Sequence, residues 1–377
     1  MARVGGSENP ATECRVGTTA GDLTHCRNRG EENLSANATN LKAAIIGCGG
    51  RGRSHAEGYT VDPRTTIVAC ADPSPEARDA FAESYEVSAK YDDYHEMLDA
   101  ESPDIVSVCT WPHFHREMVE AAAASGARAI HAEKPMAPTW GDARAMHAAC
   151  DSHGILLTFC HQRRFGDTFQ SARQLVRDGA IGELQRIEAS CPNMFDWGTH
   201  WFDMMFFFNE ETPAEWVIGQ ISVDKKHEVF GVALDTSGIS WIHFANDVEG
   251  LLVTGETGFG NLQNRLIGSQ GVVEVTPGGK AEHPVRLVRD GKWTDPELTL
   301  GVPVSEHTIA SVSNLVDCME SGAEPELSSH KALRATELIF ATYESCRRRG
   351  RVVLPLDVDD SALLTMLADG SIGGSAR

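Results

Sequence analysis

The sequence predicts an α/β protein, a doubly wound parallel sheet followed by an α+β domain with a large, open, mostly antiparallel sheet. Three observations carry that expectation. From Leu41 to about residue 161, short apolar runs alternate with amphipathic stretches, as strands buried on both faces and their covering helices require. After about Gln162 the runs lengthen and alternate apolar with polar residues, the pattern of strands with one wet face. A length of 377 residues supports two cores.

In the first half, Leu41–Gly47, Thr66–Ala71, Asp104–Cys109, Ala127–His131 and Ile155–Cys160 read as parallel strands. Helical patterns cover Arg53–Tyr59, Pro75–Tyr85, Asp92–Ala100, Phe114–Ser125 and Trp140–Ser152, with Pro75 suited to a first helical turn. Strand–helix alternation implies right-handed crossovers. The second half opens with a helix over Thr168–Asp178, stopped by Gly179. Strands follow at Leu184–Cys191, Val217–Val223, Gly238–Phe244, Glu249–Thr254 and Val272–Val275, with a turn at Pro277-Gly278-Gly279. Helices near Glu306–Ser321 and His330–Arg348 close the chain. The expected division is a disordered leader (1–40), a first domain (41–161), a second (162–356), and a C-terminal tail (357–377) whose last dozen residues are frayed.

Composition excludes several classes of function. Acidic side chains outnumber basic ones by 54 to 33, a net charge of −21, which repels nucleic acid and anionic membranes. No run of about 18 apolar residues is present, so no membrane span is expected. The N-terminus lacks the apolar stretch of a secretory signal. A cytoplasmic location is expected, and the Asn37-Ala38-Thr39 sequon is read as chance. The ten cysteines are scattered singly without a CxxC pair, which reads as reduced thiols.

The first motif with chemistry is Gly47-Cys48-Gly49-Gly50-Arg51-Gly52, between an apolar strand and a helical pattern. That context turns three glycines into a dinucleotide-binding signature of the Rossmann type. Gly47 permits the tight turn, Gly49 lets a diphosphate approach the backbone, and Gly52 allows close helix–strand packing. Asp72 ends the next strand, where a carboxylate accepts both hydroxyls of an adenosine ribose and repels a 2′-phosphate. No Arg or Lys follows it immediately, so NAD is favoured and NADP stays open. The competing reading, that Asp72 only starts the Asp72-Pro73-Ser74-Pro75 turn, is compatible with the first.

Four further stretches follow in order: Cys109-Thr110-Trp111-Pro112-His113-Phe114-His115, Glu133-Lys134-Pro135, Gly179-Ala180-Ile181-Gly182-Glu183-Leu184, and Asp196-Trp197-Gly198-Thr199-His200-Trp201-Phe202-Asp203. With the glycine turn they resemble the glucose–fructose oxidoreductase, inositol dehydrogenase and rhizopine-catabolism (Gfo/Idh/MocA) family, over about residues 41 to 356. The resemblance implies a catalytic Lys134, with Asp196 and His200 completing the set around a reacting carbinol. It implies cofactor contacts from Gly47, Gly49, Gly50, Arg51, Gly52, Asp72, Thr110, Trp111, His115, Glu133, Lys134 and Arg164, with His115 beside the nicotinamide, and no metal. Trp111 departs from the proline usual in the family, which bears on the shape of that loop.

Elementary chemistry agrees with these roles. Removing a hydroxyl proton as hydride leaves suits a histidine, and an ammonium stabilises the developing oxygen charge. Spacing of four puts Asp196 and His200 on one face if both lie in a helical turn. A lysine buried in an apolar stretch is expensive without a purpose. His200, among Trp197, Trp201, Phe202 and Met204, reads equally as a core histidine without the family pattern. Asp203 either lines the site or caps the helix, and Arg163 and Arg164 reach ligand or solvent. His113 and His115 lack partners at metal-ligand spacing. The reading is an NAD(P)-dependent oxidoreductase passing hydride between nicotinamide and a ring hydroxyl or ketone of a sugar, inositol or related polyol. Alternatives are redox-assisted glycoside cleavage and a catalytically silent nucleotide-binding sensor. A homodimer or homotetramer is expected through the open sheet, at Gly238–Phe244 and Glu249–Thr254.

Overall fold

Strand β1 (Leu41–Ile46) is almost wholly buried, as the centre of a parallel sheet between two helical layers must be. In the computed structural model, which describes residues 40–224, 227–255, 264–276 and 282–373, it is followed by α1 (Gly50–Val61), β2 (Thr65–Ala71), α2 (Pro75–Ser84), β3 (Ala89–Tyr91), α3 (Tyr94–Glu101), β4 (Ile105–Val108), α4 (Pro112–Ala124), β5 (Ala129–Ala132), α5 (Trp140–Asp151) and β6 (Leu156–Phe159). The expected leader with its Asn37 sequon and the Pro277–Gly279 turn lie outside the described residues. Strand order is β3-β2-β1-β4-β5-β6, with every pairing parallel. The order reverses between β1 and β4, so their carboxyl ends open the crevice in which doubly wound sheets bind ligands. Local chemistry sets the helix starts: Ser74 Oγ accepts from Ala77 N ahead of Pro75, and Thr139 Oγ1 from Asp142 N. Strand β3 escapes the sequence reading because it is three residues long and nowhere fully buried.

The second sheet is entered through α6 (Asp167–Arg177). It continues with β7 (Leu184–Cys191), α7 (Gly198–Phe208), β8 (Ala214–Ser222), the hairpin β9 (Glu228–Val229) and β10 (Val232–Ala233), β11 (Ser237–Phe244), β12 (Glu249–Thr254), β13 (Asn264–Gly268), β14 (Gly271–Val275), β15 (Val285–Arg289) and β16 (Lys292–Thr294). Then come α8 (His307–Ser321), α9 (Ser329–Arg348), β17 (Val352–Val353) and α10 (Ala362–Ala368). The nine strands run β16-β15-β14-β13-β7-β12-β11-β8-β17. The β12–β7 pair is parallel and the other pairs are antiparallel. Every residue of α7 is buried, and the aromatic run from Trp201 to Phe208 joins the main core. On the opposite face Ile218, Trp241 and Leu251 stand in one cross-strand row, with Ile218 and Trp241 exposed.

Two placements depart from the sequence reading. Helix α8 does not cover the second sheet. Its Val312, Leu315 and Val316 pack with Ala56, Tyr59 and Ile105 of the first domain, and a Cβ on Gly58 would lie 2.7 Å from Val312 Cγ2. A parallel sheet needs cover on both faces, and α8 returns in space to supply it. The last dozen residues are also not frayed from their start, since α10 runs through Ala368. Leu363 and Met366 of α10 are buried, and Gly141 N donates to Asp359 O at 2.8 Å. That apolar set is too short to stand out in the surrounding polar sequence. The eight cysteines among the described residues are free thiols, and no described helix is long and apolar enough to cross a membrane.

Candidate active site

The chain leaves β1 through Gly47 at φ +96°, where a Cβ would stand 2.6 Å from the Cys109 carbonyl oxygen. Any side chain at Gly52 would meet the Gly47 carbonyl oxygen at 2.0 Å, so α1 seats on the turn only through glycine. Gly49 and Gly50 face nothing within 4 Å. No side chain caps α1, which leaves its first-turn N–H groups for an anion. Asp72 holds the rim, accepting from Cys48 N at 2.8 Å and Ser74 N at 2.9 Å. The turn reading of Asp72 thus holds, and each carboxylate oxygen still keeps a lone pair that a ribose hydroxyl could use. The residues present fit a dinucleotide. Arg78 donates to the Asp72 carbonyl at 3.0 Å, so a cation stands nearby that adjacency in sequence does not reveal. Thr110 lies beside Gly47. Trp111 is half exposed at the start of α4, and Gly231 of the β9–β10 hairpin approaches its ring.

Lys134, after β5, reaches across to the second domain. Its Nζ donates to Asp196 Oδ1 at 2.7 Å and to the Asp196 carbonyl at 3.1 Å. Asp196 is not on a helical turn with His200 as its spacing suggested, because α7 begins at Gly198. It sits in a tight turn folded around Asn193, whose Oδ1 accepts from Asp196 N at 2.7 Å and Trp197 N at 3.3 Å. His200 is buried in the first turn of α7. Burial, then the neighbouring charges of Arg163 and Lys134, hold its pKa well below the usual histidine value, and its Nδ1 has no hydrogen-bond partner. The structure therefore gathers an ammonium, a carboxylate and a neutral imidazole at the carboxyl end of β5.

Several residues of this cluster carry no signal in sequence. His161, just after β6, meets His200 edge-on at 5.7 Å and pairs with Thr199 Oγ1 at 2.9 Å. Asp235 sits beneath the Asn193 turn, accepting from Met194 N, Thr254 Oγ1 and Tyr343 Oη. It ties β12 and α9 to the loop that carries Asp196. Burial pushes its pKa up to about 6. A carboxyl with a raised folded pKa destabilises the fold fully above that value, and the penalty fades as pH falls through it. Asp235→Asn should therefore gain stability relative to the wild type as pH rises from about 4 to about 7, by up to roughly 3 kcal/mol in total. Parallel Tm-versus-pH curves for the two proteins would overturn this.

Three expected cofactor contacts are turned inward instead. Arg164 is fully buried, bonding Asp203 through Nε and Nη2 and Glu211 and Glu326 through Nη1. Asp203, left open by the sequence, is its main counter-ion. His115 is fully buried, its ring nitrogens 3.0 Å from Met136 O and 3.1 Å from Thr110 O; it joins the two loops. Glu133 accepts from Arg51 Nε at 2.6 Å and Lys134 N at 3.3 Å and pairs with His55 Nε2 at 3.1 Å. Burial pushes the Glu133 carboxyl up, but His55 and Arg51 outweigh it and hold it well below the usual range. It anchors the backbone of Lys134. A charged side chain after a strand looks the same in sequence whether it faces a ligand or the interior.

His55, His131 and Cys160 bring ligand-type atoms within 4.8 Å of one another. The two rings stack at 4.4 Å, so their in-plane lone pairs run side by side rather than converging. Each ring nitrogen already has a partner in Ser107, Glu133, Thr158 or Ser311. The arrangement is a hydrogen-bonded core, not a metal centre.

Residues 41–161 match the family model described as an oxidoreductase family with an NAD-binding Rossmann fold. The chain is 30% identical to a D-apiose dehydrogenase from Paraburkholderia graminis over 371 residues, covering 90% of this chain and 97% of the relative. It is 25% identical to an inositol 2-dehydrogenase from Rhizobium meliloti, over 83% of this chain and 98% of the relative. Among solved structures, the WlbA dehydrogenase from Bordetella pertussis in complex with NADH and UDP-GlcNAcA superposes with a TM-score of 0.70 at 20% identity. That match covers 84% of this chain and 99% of the other, and it speaks to the fold.

Proposed function

Because the chain belongs to the Gfo/Idh/MocA family of NAD-binding oxidoreductases, we propose that it moves hydride between NAD and a ring carbinol or ketone of a sugar, inositol or related polyol. The observation that carries this is the Lys134–Asp196 contact at 2.7 Å beside a neutral His200. Bound NAD supplies the hydride acceptor, and the chain supplies the rest. Asp196 takes two of the hydrogen-bonding directions of Lys134 Nζ and leaves the third for a substrate oxygen, where an ammonium stabilises developing negative charge. His200, kept neutral by burial, has a lone pair for the hydroxyl proton. Glu133, Asn193 and Asp235 fix the two loops so that these groups meet.

The test is an absorbance screen for NAD(H) and NADP(H) turnover over aldoses, inositols and their keto forms. Turnover with at least one polyol, faster with NAD, is the expected result. Cofactor binding without turnover across the panel would sink the reading. The same reading places a second copy against the exposed row through Ile218 and Trp241, burying more than roughly 1,000 Å². Light scattering at micromolar concentration should report a dimer or tetramer, and a monomer would refute that contact.

A further inference from the structure

Among the described residues, Arg163 is the cation near this site that has no anion. Lys134 has Asp196, Arg51 has Glu133, and Arg164 has Asp203, Glu211 and Glu326. Arg163 stacks instead on Trp201, 4.5 Å from the ring centroid, with Trp197 at 5.8 Å. Its Nε is buried without an acceptor, and burial without a counter-charge draws its pKa down to about 10. A half-buried arginine whose Nε is shut from water with no carboxylate to meet it is expensive. Its planar fork is suited to receiving one from a ligand.

The surroundings point the same way. Arg163 also lines a cavity of about 220 Å³ whose other walls include Arg51, Ser54 and Glu57 of α1 and His307 and Thr308 of α8. Gln162 Oε1 and His307 Nε2 are likewise buried without a partner, the latter turned toward Gly166. Trp197 and Trp201, on which Arg163 stacks, flank His200 along the chain, and His161, two residues before Arg163, meets the His200 ring at 5.7 Å. A group seated on the Trp197–Trp201 side of Arg163 therefore lies toward the reacting end. The geometry points to Arg163 as the binding residue for a carboxylate on the substrate, so that the enzyme selects sugar acids over the matching neutral sugars and polyols. This rests on the dehydrogenase reading given above.

Binding separates the two claims. Glucuronate, galacturonate and gluconate are titrated against glucose, galactose and glucitol onto the full-length protein saturated with NADH, read by fluorescence of the flanking tryptophans. One acid at least should bind roughly tenfold or more tightly than its neutral partner. Arg163→Gln should bring the paired dissociation constants together, and Arg163→Lys, which keeps charge without the fork, should retain part of the preference. NADH titrated alone should bind wild type and Arg163→Gln equally. Equal wild-type affinities across all three pairs overturn the proposal, whatever the variants do. Weaker NADH binding in Arg163→Gln with the acid preference intact would also overturn it and assign Arg163 to the diphosphate. A wild-type protein that prefers acids yet passes hydride to nothing refutes the dehydrogenase reading and leaves the carboxylate site standing.

Discussion

Lys134→Met should lower kcat by roughly 10³-fold while changing the Kd for NADH by less than about threefold. The split follows from position. Lys134 Nζ is directed at Asp196, so on the proposed reading the ammonium acts on the substrate oxygen and not on cofactor affinity. Methionine keeps the length of the stem and removes only the charge and its donors. Asp196 loses its partner but is still held through its backbone by Asn193, so the loop should keep its shape. Steady-state turnover beside fluorescence titration of NADH reads both quantities. Undiminished turnover would remove the lysine from the chemistry. A parallel loss of NADH affinity would make it a cofactor ligand instead.

Arg164→Met should destabilise the protein by about 3–5 kcal/mol, with a fall in Tm on the order of 10 °C. The guanidinium is fully buried and satisfies Asp203, itself 1% exposed. Removing one partner of such a pair leaves the other as an uncompensated charge. The damage should spread to the end of α7, where Glu210 and Glu211 hold left-handed backbone at φ 50° and 62°. Glu211 is kept there by Arg164 and Arg334, and such backbone persists only where its surroundings enforce it. The double variant Arg164→Met with Asp203→Leu should recover part of the loss. Chemical denaturation of all three proteins measures the effect, and a change below about 1 kcal/mol in the single variant would contradict it.

These two residues show where the sequence was legible and where it was not. Lys134 was readable because a lysine ending an apolar strand has few cheap explanations and its neighbours matched a family pattern. Arg164 was misplaced because it follows a strand in the same way, and nothing local says that Asp203, Glu211 and Glu326 converge on it. Glu133 and His115 failed for the same reason. Asp235 and His161 gave no signal at all, since their partners lie tens of residues away in the chain.

The sequence by itself determined the strand–helix alternation from Leu41, the glycine turn with Asp72, and the long strands with one wet face in the second sheet. Those features depend on residue type and on spacing within a few positions, through pleat, helical period and glycine's lack of a Cβ. Only the tertiary structure decided that α8 covers the first sheet and that Arg164 closes a buried ion cluster. It also decided that Asp196 meets Lys134 from a turn, and that Arg163 is left with an open charge. Each of these depends on which distant groups share one low-dielectric volume, and that is settled by packing rather than by sequence neighbours.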